Sequence, residues 1–467
     1  MSGLTLNELQ AATGGRWLHV ALRPEQRGDA LLGRIAIDSR QVRPCDAFWA
    51  LRGDRRDGLE FVDDAFLRGA AGVVSSSDRL VPPLGRWALA VDDARQALTS
   101  VARYQRERFA GSVIAVTGSV GKTTTRQMIH TVLAARFDGA ASPRNYNNHL
   151  GVPLSMLAWN GDENYAVLEL GASHEGEIAR LAELCRPRMG VITRIGDAHL
   201  GGFGSLRAVA DAKAELLDAL GRDGLAVLNG DDPELRRCGK QTQAKVVWVG
   251  RGANCDLTAV DVHSSRGRLS LTIGGRRLCV PIWGRHHVTS VLSAVAVGQA
   301  WGLDWNEIAG ALGAFDPPPM RCQVLTVGGA RVIDDSYNSS PTAMRAALEL
   351  LRDFDAPGRR IVVCGDMREL GHGAIRLHRE LGDEVVTRCG ADLLVACGDH
   401  ADDVVAGARA AGMPRGKTVA CRDPLEAVPF VRRTLADGDV LLVKGSRAMA
   451  LERVVSELQG DARRRAA

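Results

Sequence analysis

Aromatic residues make up only 4% of the 467-residue chain, which argues against a surface that stacks nucleobases. Charge of either sign is hardly in excess: 59 Lys and Arg against 55 Asp and Glu leave +4. That is too little, over this length, to draw the chain to nucleic acid. No run approaches the roughly 18 consecutive apolar residues of a membrane span. Met1–Val20 has no basic segment followed by an apolar core, so no secretory signal is read there. The ten cysteines stand singly with no CxxC, the closest pair being Cys389 and Cys397. They read as reduced thiols, mostly core residues, of a cytoplasmic protein. What is present is ordinary globular composition, 45% apolar and 24% charged, which excludes a disordered or collagen-like chain. At roughly 100–200 residues per domain, the length predicts about two to four domains.

Short apolar runs rich in Val and Ile alternate with helix-period stretches. Val113–Val116, Ala166–Leu170, Gly190–Thr193, Ile361–Cys364, Leu393–Ala396 and Val440–Val443 are such runs. This rhythm predicts an α/β protein with parallel sheets covered by helices. Three blocks follow: residues 1–108, ending in the helical stretch Ala94–Arg108; residues 109–320, closing on the stiff segment Phe315–Pro319; and residues 321–467. Beyond a short basic run, Arg463–Arg465, no low-complexity segment or short-period repeat is visible.

The strongest local signal opens the second block. Ser112–Thr117 is a strand, Gly118-Ser119-Val120-Gly121 a glycine-rich turn, and Lys122-Thr123-Thr124-Thr125 the start of a helix that continues through Met128, Ile129, Val132 and Leu133. Backbone N–H groups of such a turn close around phosphate, and the helix start adds a favourable field. Lys122 reaches terminal phosphates and the Thr123 hydroxyl can ligate Mg²⁺. The strict eight-residue pattern fails at one position, where Val116 replaces glycine. A plain tight turn is the alternative; a bound nucleoside triphosphate is the reading preferred here.

Asp197–Ser205 follows, with Ser205 as N-cap of a helix whose apolar stripe is Leu206, Val209, Leu216, Leu217 and Leu220. Lys213 lies in that stripe. Burial favours its neutral amine, which can add CO₂ to give a carbamate; snorkelling from the edge is the ordinary alternative. Glu169 ends the strand Ala166–Leu170 where ligands bind in parallel sheets, and with His199 it could hold a metal. Asn145, Asn147 and Asn148 either bind polar substrate groups or cap a turn. The third block places Asp334 and Asp335 at a strand end, before Ser340 and Pro341 open a helix. Gly365–Gly371 is a similar loop, and Val443–Arg447 sets two cations at another strand end.

Together these segments resemble the Mur ligase family, ATP-dependent amide-forming enzymes of peptidoglycan precursor synthesis. The resemblance covers nearly the whole chain. Asp38-Ser39-Arg40, Arg43–Leu51, and Asp57-Gly58 with Phe61 resemble its uridine-nucleotide domain. Thr117–Thr124 resembles its ATP loop, and Asn145–Leu154 and Ala198–Ser205 also match. Asp334–Pro341, Gly365–Gly371 and Lys444–Arg447 resemble the branch that joins D-alanyl-D-alanine to UDP-N-acetylmuramoyl-tripeptide.

The resemblance implies three domains: a small α/β uridine-nucleotide domain, a central P-loop-type parallel-sheet ATPase domain and a C-terminal Rossmann-like α/β domain. It implies ATP held by Thr117, Gly118, Ser119, Gly121, Lys122, Thr123 and Thr124, with His287 beside the adenine, Arg321 meeting the nucleotide from the C-terminal domain and Asp335 near the ribose. It implies two Mg²⁺ ions, one on Thr123 and Glu169, the other on Glu169, His199 and carbamylated Lys213. Lys122, Glu169, His199 and Lys213 are then the catalytic set. Ser39, Arg40, Asn145, Asn147, Asn148, Tyr337 and Asn338 are the substrate-binding residues, Ser39 and Arg40 facing the uridine.

The chain departs from the family pattern in places. Val120 stands for a usual Asn, His287 and Ser290 for two Asn of a Gly-x-His-Asn-x-x-Asn stretch, Gly201 for a Glu, and Ser339 for the Ala of a Tyr-Asn-Ala motif. None removes a phosphate or metal group.

Another amide ligase of the family is a rival reading. The Asp-Asn-Pro-Arg loop of the diaminopimelate-adding members is missing, and folylpolyglutamate synthetases lack the first block. A non-catalytic ATP-binding scaffold is a further rival, which the intact Lys122, Glu169, His199 and Lys213 disfavour. The expectation is a monomeric cytoplasmic enzyme with no nucleic-acid partner and no membrane span.

Overall fold

Successive residues of the strand Ser112–Thr117 show how the sheets are built. Val113 and Ala115 enter one apolar cluster while Ile114 and Val116 enter another. A two-residue period sends neighbours to opposite faces, and helices on both faces make the run read as continuously apolar. Ile361 and Val363 part from Val362 and Cys364 in the same way. The computed structural model describes residues 3–20, 24–143, 145–355 and 357–466, the side chains of 24 and 461–466 excepted. The basic run Arg463–Arg465 lies outside the described side chains.

Three sheets result. The first has five strands in the order Arg16–His19, Trp87–Ala90, Gly72–Ser75, Ala47–Ala50, Ile35–Ala36, parallel apart from the first pair. The second has nine. Its parallel part runs Gly139–Ala141, Tyr165–Glu169, Ser112–Thr117, Met189–Ile192, Leu225–Asn229, Lys245–Gly250, Leu257–Ser265. The third has six: Gln323–Val327, Ala330–Asp334, Val440–Lys444, Arg360–Gly365, Leu393–Cys397, Thr418–Cys421, with only the first pair antiparallel.

Antiparallel strands Arg268–Ile273 and Arg276–Val280 extend the central sheet beyond the parallel arrangement expected of it. Two-residue turns make these hairpins and the one that opens the third sheet. Arg266 and Gly267 have φ of 49° and 79°, Gly274 and Gly275 of 53° and 76°, Gly328 and Gly329 of 52° and 79°. Positive φ at both central residues is the turn whose twist matches that of the strands.

The helix Ala94–Arg108, predicted with these bounds, couples the first sheet to the second. Leu98, Val101 and Ala102 share one core with Val152, Met156 and Trp159. Trp49 Nε1 donates to the Ala94 carbonyl at 2.7 Å, and Arg106 Nε to that of Cys185 at 2.6 Å. Asp93 caps the helix, accepting from the N–H groups of Arg95 and Gln96 at 2.7 and 3.1 Å. Asp93→Ala is expected to cost about 1 kcal/mol, seen as a lower urea midpoint at unchanged slope. An unmoved midpoint contradicts a contribution from the cap.

All ten cysteines are free, and seven are buried as expected; Cys45 is exposed and Cys255 and Cys279 are half-buried, on a loop and at a sheet edge. Among the described residues, no helix is long and apolar enough to cross a membrane.

Candidate active site

The strand Ser112–Thr117 lies between Tyr165–Glu169 and Met189–Ile192, so the loops leaving their carboxyl ends emerge side by side. Gly118 has φ 140°, and a Cβ there would meet Thr193 Oγ1 at 2.1 Å. Gly121, with φ 85°, precedes the helix Lys122–Leu133. Only glycine takes both positions without strain. Thr117 turns inward and donates to the Leu170 carbonyl at 2.8 Å. Lys122 Nζ lies along its own loop, 2.7 Å from the Gly118 carbonyl. Burial lowers its pKa, against the pull of the Glu169 carboxylate.

Glu169 is 2% exposed. Its two oxygens accept from Thr123 Oγ1 and Asn147 Nδ2, each at 2.8 Å. Arg321 arrives from the third block and donates to Thr123 Oγ1 at 3.0 Å. Its guanidinium lies 4.2 Å from the centre of the Tyr337 ring.

His199 sits in a left-handed backbone conformation, φ 58°. Its Nδ1 pairs with Glu369 of the third block and lies 3.4 Å from Ser173 Oγ. Burial lowers the His199 pKa, and Glu369 opposes that shift.

Lys213, in the helix Leu206–Asp218, is 2% exposed. Its amine does not snorkel to solvent: Nζ donates to the Ala172 carbonyl at 3.0 Å and sits 5.3 Å from the Phe203 ring centre. Burial, with Lys122 adding to it, pushes its pKa down to about 7. Ser205 caps this helix through the Ala208 N–H at 3.1 Å, as predicted. Leu206 does not join the apolar stripe; it is 41% exposed, and the buried face of the helix begins at Val209. None of the hydrogen bonds of Glu169, His199 and Lys213 joins them to one another.

In the third sheet, Lys444 Nζ pairs with Asp335 Oδ2 at 2.6 Å and donates to the Asn338 carbonyl at 2.9 Å. Asp334 accepts from the Ser336 hydroxyl at 2.5 Å and the Ser336 N–H at 3.1 Å, so it serves the turn. Ser340 and Pro341 open the helix Pro341–Asp353 as cap and first residue.

These groups face one cleft of about 1400 Å³. Ser119, Val120, Gly121, Lys122, Thr123, Thr124, Asn145, Asn147, Asn148, Glu169, His199, His287, Arg321, Asp335, Tyr337 and Asn338 line it. Lys213 lies behind the wall at Ala172; Thr117 and Gly118 support the loop from below. Ser39 and Arg40 stand apart, Ser39 buried in the turn Ser39–Gln41 and Arg40 exposed and paired with Asp38 at 2.8 Å. The wall also includes His174 and Arg194, which sequence reasoning did not single out, and His286 and Arg368, which lie in stretches it noted without giving them a role. Arg194 and Arg368, each shortly past a strand end, carried a positional signal.

The central and third blocks meet along this cleft. Asp197 pairs with Arg345 at 3.2 Å, and the Trp283 and Phe354 rings stack with centres 4.5 Å apart. The Gly201 N–H donates to the Glu369 carbonyl at 2.8 Å. A Cβ on Gly201 would lie 3.1 Å from the Gly371 nitrogen, so the small residue lets these loops approach. Ser290 Oγ accepts from Thr125 Oγ1 at 2.8 Å, tying its helix to the phosphate-loop helix. Burial holds the His287 pKa well down, leaving a neutral ring.

Comparison with known proteins agrees with this geometry. The profile described as Mur ligase middle domain matches residues 116–298, and that described as Mur ligase, glutamate ligase domain matches residues 320–447. The UDP-N-acetylmuramoyl-tripeptide–D-alanyl-D-alanine ligase of Bacillus subtilis (strain 168) is 34% identical, over 91% of this chain and 92% of that one. The Escherichia coli (strain K12) protein of the same name is 32% identical over 93% and 95%. A crystal structure of MurF from Acinetobacter baumannii superposes with a TM-score of 0.84 at 30% identity, covering 98% of both chains. The MurF ligase of Thermotoga maritima, solved in complex with ADP, gives 0.78 at 28%, covering 93% of this chain and 98% of that one. With both profiles matched and these relatives covering more than nine-tenths of its length, the chain belongs to the Mur ligase family.

Proposed function

We propose that this chain uses ATP to join D-alanyl-D-alanine to UDP-N-acetylmuramoyl-tripeptide, giving UDP-N-acetylmuramoyl-pentapeptide. The observation that carries the reading is the meeting of two blocks at one hydroxyl. Arg321 of the third block donates to Thr123 Oγ1 at 3.0 Å, and Thr123 donates to buried Glu169. Phosphate-binding and amine-binding halves thus share a wall.

The terminal carboxylate of the tripeptide attacks the γ-phosphorus, the bond to the bridging oxygen of ADP breaks, and an acyl phosphate forms. The dipeptide amine then attacks the acyl carbon, phosphate leaves, and one proton is lost from nitrogen. Backbone N–H groups of 118–121 and the Lys122 ammonium stabilise the phosphoryl charge, where most of the catalysis of such transfers arises. Arg321 adds positive charge from the opposite side. The Asp335–Lys444 pair and Tyr337 border the space beside that charge. Contact between the blocks excludes water that would hydrolyse the acyl phosphate.

The residues present suit hard cations. Thr123 Oγ1 and Glu169 Oε2 are oxygen donors 2.8 Å apart, the kind Mg²⁺ prefers. Two Mg²⁺ ions, held by Thr123 and Glu169 and by Glu169, His199 and carbamylated Lys213, would neutralise phosphate charge. A carbamate on Lys213 would also turn a buried cation near Lys122 into an anion. Ser39 and Arg40 hold the uridine end on the first block, while the peptide reaches the cleft past Thr99 and Arg103. The enzyme acts as a monomer in the cytoplasm, where its nucleotide substrates are made.

The mechanism has an isotopic test. With ¹⁸O in the terminal carboxylate of the tripeptide, each released phosphate should carry one labelled oxygen. Unlabelled phosphate contradicts the acyl phosphate.

A further inference from the structure

We propose that His286, His287 and Cys322 form a binding site for a soft divalent cation, Zn²⁺ by its ligand chemistry, at the junction of the central and third blocks. The two imidazoles stand in the short turn Arg285–His287, at the start of the helix Val288–Ala300. Cys322 follows Arg321, beyond the proline segment, in a left-handed conformation with φ 52°. The three are brought together only by the way the blocks meet.

One ring nitrogen of each histidine and the cysteine sulfur all lie within 4.8 Å of one another. No other such trio of His, Cys, Asp or Glu occurs among the described residues. His286 Nε2 is 3.7 Å from Cys322 Sγ. Tetrahedral zinc, with bonds of about 2.3 Å to sulfur and about 2.0 Å to nitrogen, sets these atoms about 3.5 Å apart. The pair is therefore almost in place.

The second observation is independent of that spacing. His287 is 6% exposed, and its Nε2 is buried with no hydrogen-bonding partner among the described residues. A buried imidazole nitrogen of a neutral ring left without a partner is uncommon, and a metal bond satisfies it. Thiolate and imidazole donors select zinc-like ions and not Mg²⁺, so the site does not duplicate the oxygen donors at Thr123 and Glu169. The Cys322 N–H donates to Asp335 Oδ1 at 3.3 Å, an outer-shell contact that fixes the loop. Binding releases the thiol proton to solvent and forms one metal–sulfur and two metal–nitrogen bonds. The fourth position faces the cleft, which all three residues line.

Cobalt is a suitable probe, since four-coordinate Co²⁺ absorbs in the visible and its thiolate bond in the near ultraviolet. Titration of the full chain with CoCl₂ in the presence of Mg²⁺ should give one equivalent with both bands. Cys322→Ser should remove the thiolate band, and Cys322→Ser and His287→Asn should each weaken binding at least as much as loss of an outer-shell partner does, about 10–100-fold. Absence of the thiolate band in the parent chain overturns the proposal. So does its persistence in Cys322→Ser, which would place the metal elsewhere, such as at Cys397 and Cys421.

A consequence for turnover rests on the ligase reading. Zn²⁺ should inhibit ATP-dependent ligation by the parent chain, and Cys322→Ser should lose that sensitivity while keeping Mg²⁺-dependent turnover. A chain that binds cobalt through Cys322 but never ligates keeps the site and refutes the ligase reading.

Discussion

Lys213→Ala is expected to lower ligation by about 10²–10³-fold, the scale set by loss of a group that stabilises transferring charge. A lysine 2% exposed, with Nζ on a backbone carbonyl and the charge of Lys122 outweighing each of the Glu177 and Glu215 carboxylates, is poorly placed to remain an ammonium. Its pKa of about 7 leaves much of it as free amine at neutral pH, and a free amine adds CO₂. The carbamate restores negative charge beside Lys122 and offers two oxygens to a cation.

Three consequences separate this from a packing role. Acetate or formate should restore part of the lost activity in Lys213→Ala, though only part, because a free carboxylate lacks the effective concentration of a tethered one. In the parent enzyme, activity should fall as pH drops below about 7, since protonation removes the amine that binds CO₂; bicarbonate should oppose the fall. Lys213→Ala with parent-like turnover would contradict both the carbamate and the metal role.

Arg321→Ala is the second large effect: about 10³-fold in kcat, with a smaller change in the KM for ATP. Charge delivered to a transferring phosphoryl group by an arginine is worth roughly 10³–10⁵ in rate. Arg321 follows the segment that joins the blocks, and it touches Thr123 in the phosphate loop. That contact ties the third block to the loop proposed to hold the phosphates. Arg321→Lys should rescue little, because a point charge on a flexible stem cannot reproduce the guanidinium on both Thr123 and the Tyr337 ring. A kcat unchanged in Arg321→Ala, with only KM raised, would mean that the residue binds ATP without serving the transfer.

Much of the site was legible because its chemistry is local. The phosphate loop needs two glycines, a lysine and a threonine within a few residues, and the helix caps at Ser205 and Ser340 need a hydroxyl before a helical run. Lys213 was visible as a lysine in an apolar stripe, but periodicity alone favours a snorkelling side chain there, and its role at a metal came through the resemblance. Periodicity gives an angle around the helix axis but not how far along the axis the buried face runs, so it places Leu206 in the stripe although the residue is exposed. The antiparallel hairpins carried a signal in Gly274-Gly275 and Gly328-Gly329, overshadowed by the βαβ rhythm around them. The His286–Cys322 contact had no such signal, because it joins residues 36 apart in sequence across two blocks. Ser39 and Arg40 were named through the resemblance, and the cleft does not include them.

The central claim is that both substrates are consumed together. Phosphate release from ATP should be measured with UDP-N-acetylmuramoyl-tripeptide and D-alanyl-D-alanine, singly and together, and the products weighed by mass spectrometry. Sustained release only with both, and a UDP-N-acetylmuramoyl-pentapeptide product, is the predicted result. Release without either substrate, or no release with both, would contradict it.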